Sequence, residues 1–343
     1  MTTPAALRTL IPAAALGLAA ALLPQSVSGE TVDTINRTFQ VSQGGKLTID
    51  VDAGSIDVRP GAGDTVVIEV VRKFRASSEA TEKEMLAEHV VTIEQSGKDV
   101  SIIARKPRST ESVWSWFSRG PRRDIRYTVT VPQSYNANLR SAGGPIQVQG
   151  LRGSIETHTS GGPLKFADIR GPINGGTSGG PIDIKSCEGE VAVHTSGGPI
   201  DAEDCVGNFK LSTSGGGISI AGHRGRVAAH TSGGGIRMER IDGEIDASTS
   251  GGPVSASFTH QPTGDCRLHT SGGGVSLEVP SNAKFRLDAR TSGGGVSCNL
   301  PGGSDVEKSR GKLRATYNGG GPTIELSSSG GGIDVDATAA VEG

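Results

Sequence analysis

Apolar residues recur along this chain in pairs split by one polar residue, and the pairs recur at a fixed interval. Ile182-Asp-Ile184 is followed by Ile200/Ala202, Ile218/Ile220, Ile236/Met238, Val254/Ala256 and Val275/Leu277, with Asp201, Ser219, Arg237, Ser255 and Ser276 between the members. A period of two predicts a strand with one face turned inward. A second column, Val191/Val193, Phe209/Leu211, Val227/Ala229 and Ile245/Ala247, predicts a second strand in each unit. Leu151, Ile169, Cys187, Cys205 and Ile241 share a third phase, each two residues before a glycine, and are expected to point inward at a third corner.

The corner between the two strands carries the repeat marker. Ser160, Ser178, Ser196, Ser214, Ser232 and Ser250 each follow a Thr and open a Ser-Gly-Gly, at intervals of 18 residues. Ala142 extends the register one unit earlier, Ser271 and Ser292 continue it at intervals of 21, and Ser329 ends it after a looser Asn318-Gly-Gly-Gly. A flexible Gly/Ser tract does not hold apolar residues at fixed phase, so each unit is read as one coil of a solenoid. Stacked coils pair each strand in parallel with its copy at about 4.8 Å, and roughly ten coils give a rod about 50 Å long. The Thr before each Ser is expected to form a ladder of hydroxyls bonded to their neighbours. The predicted fold is all-β: a single-stranded parallel β-helix of 18–21-residue coils.

The ends depart from this pattern. Arg8, the apolar run Leu10–Leu23, Pro24 and the small residues Val27-Ser-Gly29 have the layout of a secretory signal peptide, which gives segments 1–29 (signal), 30–140 (β-rich cap and first coils), 141–338 (repeats) and 339–343 (tail). The apolar run is about 14 residues, short of the roughly 20 that span a bilayer. Leu47–Val58 copies the strand–corner–strand pattern, with Val51 in the place of the ladder Thr. Val66–Val71, Val100–Ala104 and Tyr127–Val131 read as further strands, and Ser77 or Ser78 through Val90 as a short helix with Glu79, Glu82 and Glu84 early. A capped end is expected, because an open solenoid presents unpaired strand edges.

Gly54-Ser-Ile-Asp-Val58, Val129-Thr-Val-Pro132 and the Thr-Ser-Gly-Gly coils from Ser141 onward together resemble the bacterial putative-adhesin family, a domain of unknown function, over about residues 36–338. The resemblance implies a β-helix-like fold and an envelope or surface setting. It brings no catalytic residues with it.

Composition narrows the chemistry. The 343 residues include 52 glycines, only 3% aromatics and 34% hydrophobic residues, and the formal charge is −2. This suits a long thin core and gives no whole-chain reason to expect nucleic acid. Gly176-Thr-Ser-Gly-Gly180 matches a nucleophile-elbow pattern only as one copy of a repeated corner. His158, His194, His230 and His269 share one phase on alternate coils, about 9.6 Å apart, too far for neighbours to share a metal, and are expected to form an outward row. Asp183 and Asp201 stack one coil apart near Glu203 and Asp204, but their column continues as Ser219, Arg237 and Ser255 instead of a groove of acids. No catalytic set and no cofactor motif emerges. Cys187 and Cys205, at equal phase on adjacent coils, are a candidate disulfide or a pair of buried thiols, while Cys266 and Cys298 fall on different faces.

The segment Arg105–Arg126 stands off the repeat. It concentrates Arg105, Lys106, Arg108, Arg119, Arg122, Arg123 and Arg126 with Trp114, Trp116 and Phe117. Trp114, Trp116, Phe117, Arg119, Arg122 and Arg123 are candidate binding residues, or else the aromatics tuck under the first coil as a cap. Three roles follow: a non-enzymatic exported adhesin-like or scaffold protein meeting an envelope protein, polysaccharide or membrane surface; a polysaccharide-active β-helix enzyme; or a periplasmic accessory of an envelope-stress or regulatory system. The expected location is the periplasm or the cell exterior.

Overall fold

The computed structural model describes residues 31–76, 78–105 and 122–339, which form 27 strands and one helix, with all the strands joined in one continuous sheet. A representative coil runs along Ile182–Lys185, turns at Cys187, follows Val191–Thr195, turns through Ser196-Gly-Gly-Pro199 and continues as Ile200–Glu203. The rod therefore has a proline face, whose strands follow the Gly-Gly-Pro corner, and a threonine face, whose strands end in Thr.

Letters 18 residues apart become columns in space. On the proline face Ile146, Leu164, Ile182, Ile200, Ile218, Ile236, Val254 and Val275 are successive parallel partners. On the threonine face the column is Ile155, Ile173, Val191, Phe209, Val227 and Ile245. At the third corner Leu151, Ile169, Cys187, Cys205, His223 and Ile241 are each at most 1% exposed, beside the single-residue bridges Arg152–Arg170–Glu188–Val206–Arg224. Interior volumes are matched between faces. Gly175 makes room for Phe166, since a Cβ on Gly175 would lie 3.2 Å from the Phe166 ring.

The threonine ladder differs from expectation. Each hydroxyl bonds the backbone of the corner, not the next hydroxyl. Thr195 Oγ1 donates to Gly180 O of the preceding coil (3.0 Å) and accepts from Gly198 N–H of its own (3.3 Å). The same pair of bonds recurs at Thr177, Thr213 and Thr249. The reason is that the tight corner leaves a carbonyl and an N–H without ladder partners, and buried backbone groups must be paired.

The ends also differ from a simple sequential stack. The last repeat, Thr323–Ser328 and Ile333–Thr338, lies between the coil Cys266–Pro280 and the coil Phe285–Cys298. The expected series Ser271, Ser292, Ser329 is thus Ser271, Ser329, Ser292 in space. Beyond Phe285–Thr291 the strands Lys312–Tyr317 and then Gly303–Ser309 run antiparallel and close the threonine face. The outermost strand is exposed along its whole length and bulged between Ser304 and Glu307, which blunts the edge. At the other end Lys46–Val51 lies between Asp99–Ala104 and Asn136–Ser141, and Ser55–Gly61 lies between Arg122–Pro132 and Ile146–Gln149. Antiparallel strands Thr92–Ser96, Thr65–Arg75 and Thr31–Gln40 finish that end. The helix Glu79–Glu88 starts from Ser78, whose side chain accepts from Thr81 N–H, and buries Glu82 and Met85. The Glu82 carboxylate holds the start of the first strand, accepting from Thr31 N–H (3.1 Å) and Thr31 Oγ1 (2.6 Å). Among the described residues no helix is long and apolar enough to cross a membrane.

Candidate functional site

The outward residues of each strand also form columns, and these decide what the rod can present. On the proline face the column reads Gln147, Lys165, Asp183, Asp201, Ser219, Arg237, Ser255, Ser276, Asp334. Within and beside this column Lys165 pairs with Asp183 (3.5 Å), Lys185 with Glu203 (2.6 Å), Arg237 with Glu239 (2.8 Å) and Arg240 with Asp204 (3.9 Å). Burial, and then the neighbouring Asp183, raise the Asp201 carboxyl above its ordinary range, while the bond from Lys185 lowers that of Glu203. Among the described residues no three His, Cys, Asp or Glu side chains are grouped to hold a metal.

A groove of about 610 Å³ crosses this face. It opens where the corner proline is replaced by glycine. Pro199 and Pro253 wall a notch whose floor is Gly217, Ile218, Gly235 and Ile236, with Arg237 and Ser219 at its rim. The signal is present in the sequence as a change from Ser-Gly-Gly-Pro to Ser-Gly-Gly-Gly at Ser214 and Ser232.

The threonine face carries a second groove, of about 370 Å³, lined by Asn138, Arg140, Glu156, His158, Asn174, Gly176 and His194. Arg140, His158, Gly176, His194, Ser212, His230, Ser248 and His269 are successive parallel partners, so the histidines do stand on alternate coils of one column. His158 and His194 are exposed and His230 and His269 half-buried. His230 Nδ1 lies 2.7 Å from Ser248 Oγ. A Cβ at Gly176 would sit 2.4 Å from the His194 ring, so that ring leans over Gly176 toward His158. Asn138 Nδ2 donates to Glu156 at 2.8 Å.

Of the binding candidates drawn from the sequence, Trp114, Trp116, Phe117 and Arg119 lie outside the described residues. Arg122 and Arg123 begin the strand Arg122–Pro132 on the proline face, opposite Arg75 and Phe74, with Arg123 exposed. Neither is among the residues that line these two grooves. Cys187 and Cys205 stack at the third corner as free thiols, with Cys187 N–H 3.5 Å from Cys205 Sγ. The bond with Cys205 and burial push the Cys187 thiol up. Ser178 occupies an exposed strand-to-strand corner with no helix after it.

A buried titratable residue at the third corner escaped the sequence reading. His223 falls between Cys205 and Ile241 at the inward phase and is buried, its ring 4.5 Å from that of Phe209 and its Nε2 3.1 Å from Gly207 O. Burial lowers its pKa to about 4. The 18-residue register alone places it there.

A family model described as Toastrack DUF4097 matches residues 45–336. No curated protein matches the chain. Among solved structures, a putative adhesin from Parabacteroides merdae is 9% identical, with 89% of this chain and 96% of that one covered and a TM-score of 0.42. A putative adhesin from Bacteroides fragilis is 12% identical, covering 89% and 97%, with a TM-score of 0.33. A putative lipid binding protein from Parabacteroides distasonis is 10% identical, with the same coverages and a TM-score of 0.31. At these scores the likenesses carry no argument about what this chain does.

Proposed function

The chain belongs to the Toastrack DUF4097 family, and from that premise we propose that it is an exported, non-enzymatic binding protein whose solenoid faces meet a partner of the cell envelope or surface. The observation that carries this reading is the register itself. Outward side chains repeat in straight columns on a rigid scaffold, a geometry suited to an extended partner and poorly suited to enclosing a small substrate. Asp183, Glu203 and Asp204 are paired with Lys165, Lys185 and Arg240, which leaves Asp201 without the second unpaired carboxylate that glycan cleavage needs. The N-terminal layout of Arg8, Leu10–Leu23 and Val27-Ser-Gly29 supports export. Trp114 and Trp116, in the basic and aromatic sequence Arg105–Arg126, offer a second contact.

Two measurements on the full chain test the reading. A tagged chain expressed in its own host is expected in the periplasm, at the surface or in the medium, and the purified protein is expected to co-sediment with envelope fractions. Retention in the cytoplasm together with no enrichment on any envelope fraction overturns it. Turnover of a polysaccharide panel that disappears in Asp183→Ala/Asp201→Ala points to the enzymatic alternative. Loss of co-sedimentation in Trp114→Ala/Trp116→Ala assigns the contact to the aromatic segment.

A further inference from the structure

We propose that the threonine-face groove between Arg140 and His194 is a binding site for an acidic polysaccharide with a uronic acid at every second sugar, lying along the rod axis. The inference rests on the exported binding role above and names the ligand for one of its faces.

Three observations converge on it. The first is unused hydrogen-bonding capacity. The side chains of Arg140, His158, Asn174 and His194 make no hydrogen bond or ion pair with any described residue, whereas the cation in the larger proline-face groove, Arg237, is held by Glu239 at 2.8 Å. Asp50, the register partner of Arg140, is already taken by Arg105. The second is shape. Gly176 brings no side chain to this face and is itself buried beneath the His194 ring, which leans over it toward His158, so a shallow trough lies between the two imidazoles with Asn138, Arg140 and Asn174 along it. The third is spacing. The column continues at every second coil as His194, His230 and His269, and then, past Ser327, as Arg290, whose guanidinium is held by Asp288 at 2.6 Å. That interval is about 9.6 Å, twice the strand separation.

The chemistry follows from these groups. Planar amides and imidazoles offer a donor and an acceptor edge-on, which suits vicinal sugar hydroxyls. An arginine fork suits a carboxylate. Two pyranose rings in an extended chain cover a length comparable to two coils, so one disaccharide would meet the same column position at each repeat. Glu156, held by Asn138, disfavours a polymer with a carboxylate on every sugar, because one would face it directly.

The experiment titrates the full chain with a hyaluronan decasaccharide, its carboxyl-reduced counterpart and an oligogalacturonate of equal length. The proposal expects saturable binding of hyaluronan, with the other two weaker. Arg140→Gln is expected to weaken it by about tenfold or more, the scale of one lost charge-assisted contact, and separately His158→Ala/His194→Ala by about tenfold, the scale of two lost neutral hydrogen bonds. Arg237→Gln on the other face is expected to leave it unchanged. Equal binding of the carboxyl-reduced or fully acidic oligomer, equal binding by the Arg140 variant, or no binding at all overturns the assignment. Because these side chains point outward, matched melting curves show that the variants fold. If the wild type co-sediments with envelope fractions yet ignores hyaluronan, this assignment falls and the broader reading stands. If it does neither, both fall.

Discussion

Two neighbouring glycines show how much one methyl group decides. At the second glycine of each corner, a Cβ would collide with the coil below: at Gly180 it would lie 2.1 Å from Gly162 O. At the first glycine of this corner there is room, the nearest atom to a Cβ on Gly179 being 3.8 Å away. Gly180→Ala is therefore expected to destabilise the rod by about 3 kcal/mol or more, and Gly179→Ala by less than about 0.5 kcal/mol, as read from urea melts. The sequence shows both glycines as equally invariant across the coils, so their difference is invisible until the coils are stacked. His223 gives a second residue-scale test. Its folded pKa of about 4 lies below the ordinary value, so its contribution is full above pH 6.5 and is lost as pH falls toward 4. The expected loss is roughly 3 kcal/mol across that window. His223→Ile, which matches the column residues Ile169 and Ile241, is expected to flatten the pH dependence measured by melts between pH 7 and 4. An unchanged slope would contradict the burial argument.

At the scale of the element, a coil holds its shape because its corner is wired to the coil beneath. Thr195 supplies both wires, to Gly180 O and from Gly198 N–H. Thr195→Val keeps the volume but orphans two buried backbone groups, and is expected to cost about 1–3 kcal/mol. Thr195→Ser is expected to retain most of that stability, since Ser328 and Ser141 make the same contacts elsewhere. The coil ends offer a milder case. Asp168, Ser186, Asp204 and Arg240 occupy one column with φ between 50° and 55°, where Gly222 sits naturally. Arg240→Gly is expected to raise the melting midpoint slightly, because a left-handed residue with a Cβ costs roughly 1 kcal/mol and the exposed pair it gives up, Arg240 with Asp204 at 3.9 Å, is worth less. The strands themselves were readable from alternation, as with Ile182-Asp-Ile184. The hydroxyl wiring was not, because Thr at a strand end is compatible with a side-chain ladder and with a corner clamp, and only the burial of the corner carbonyl selects the second.

For the molecule as a whole, the consequential feature is that the rod's first and last coils are not in chain order. The strands 46–61 and 323–338 are each gripped on both sides by parallel neighbours, so the segments that would fray in a sequential stack are interior. The repeats reveal the columns, since a fixed phase leaves no other way to bury Ile200, Ile218 and Ile236 together. They do not reveal the threading, because a Ser-Gly-Gly corner fits above any other, and Ser292 and Ser329 are equivalent to the stack. The grooves were half legible. The histidine row follows from spacing, whereas the trough depends on the single Gly176 and on the tilt of one ring.

Engineered disulfides test columns and threading together. In a chain with Cys187, Cys205, Cys266 and Cys298 replaced by serine, Ser276→Cys is combined with Asp334→Cys, or with Ser297→Cys. Residues 276 and 334 are direct parallel partners, and 334 in turn partners 297. Mild oxidation followed by peptide mapping is expected to link 276 to 334 rapidly and to leave the 276/297 pair reduced, since those two stand two coils apart. A 276–297 link with none at 276–334 would mean that the coils stack in chain order. No link in either pair would mean that matching letters of successive repeats do not lie side by side.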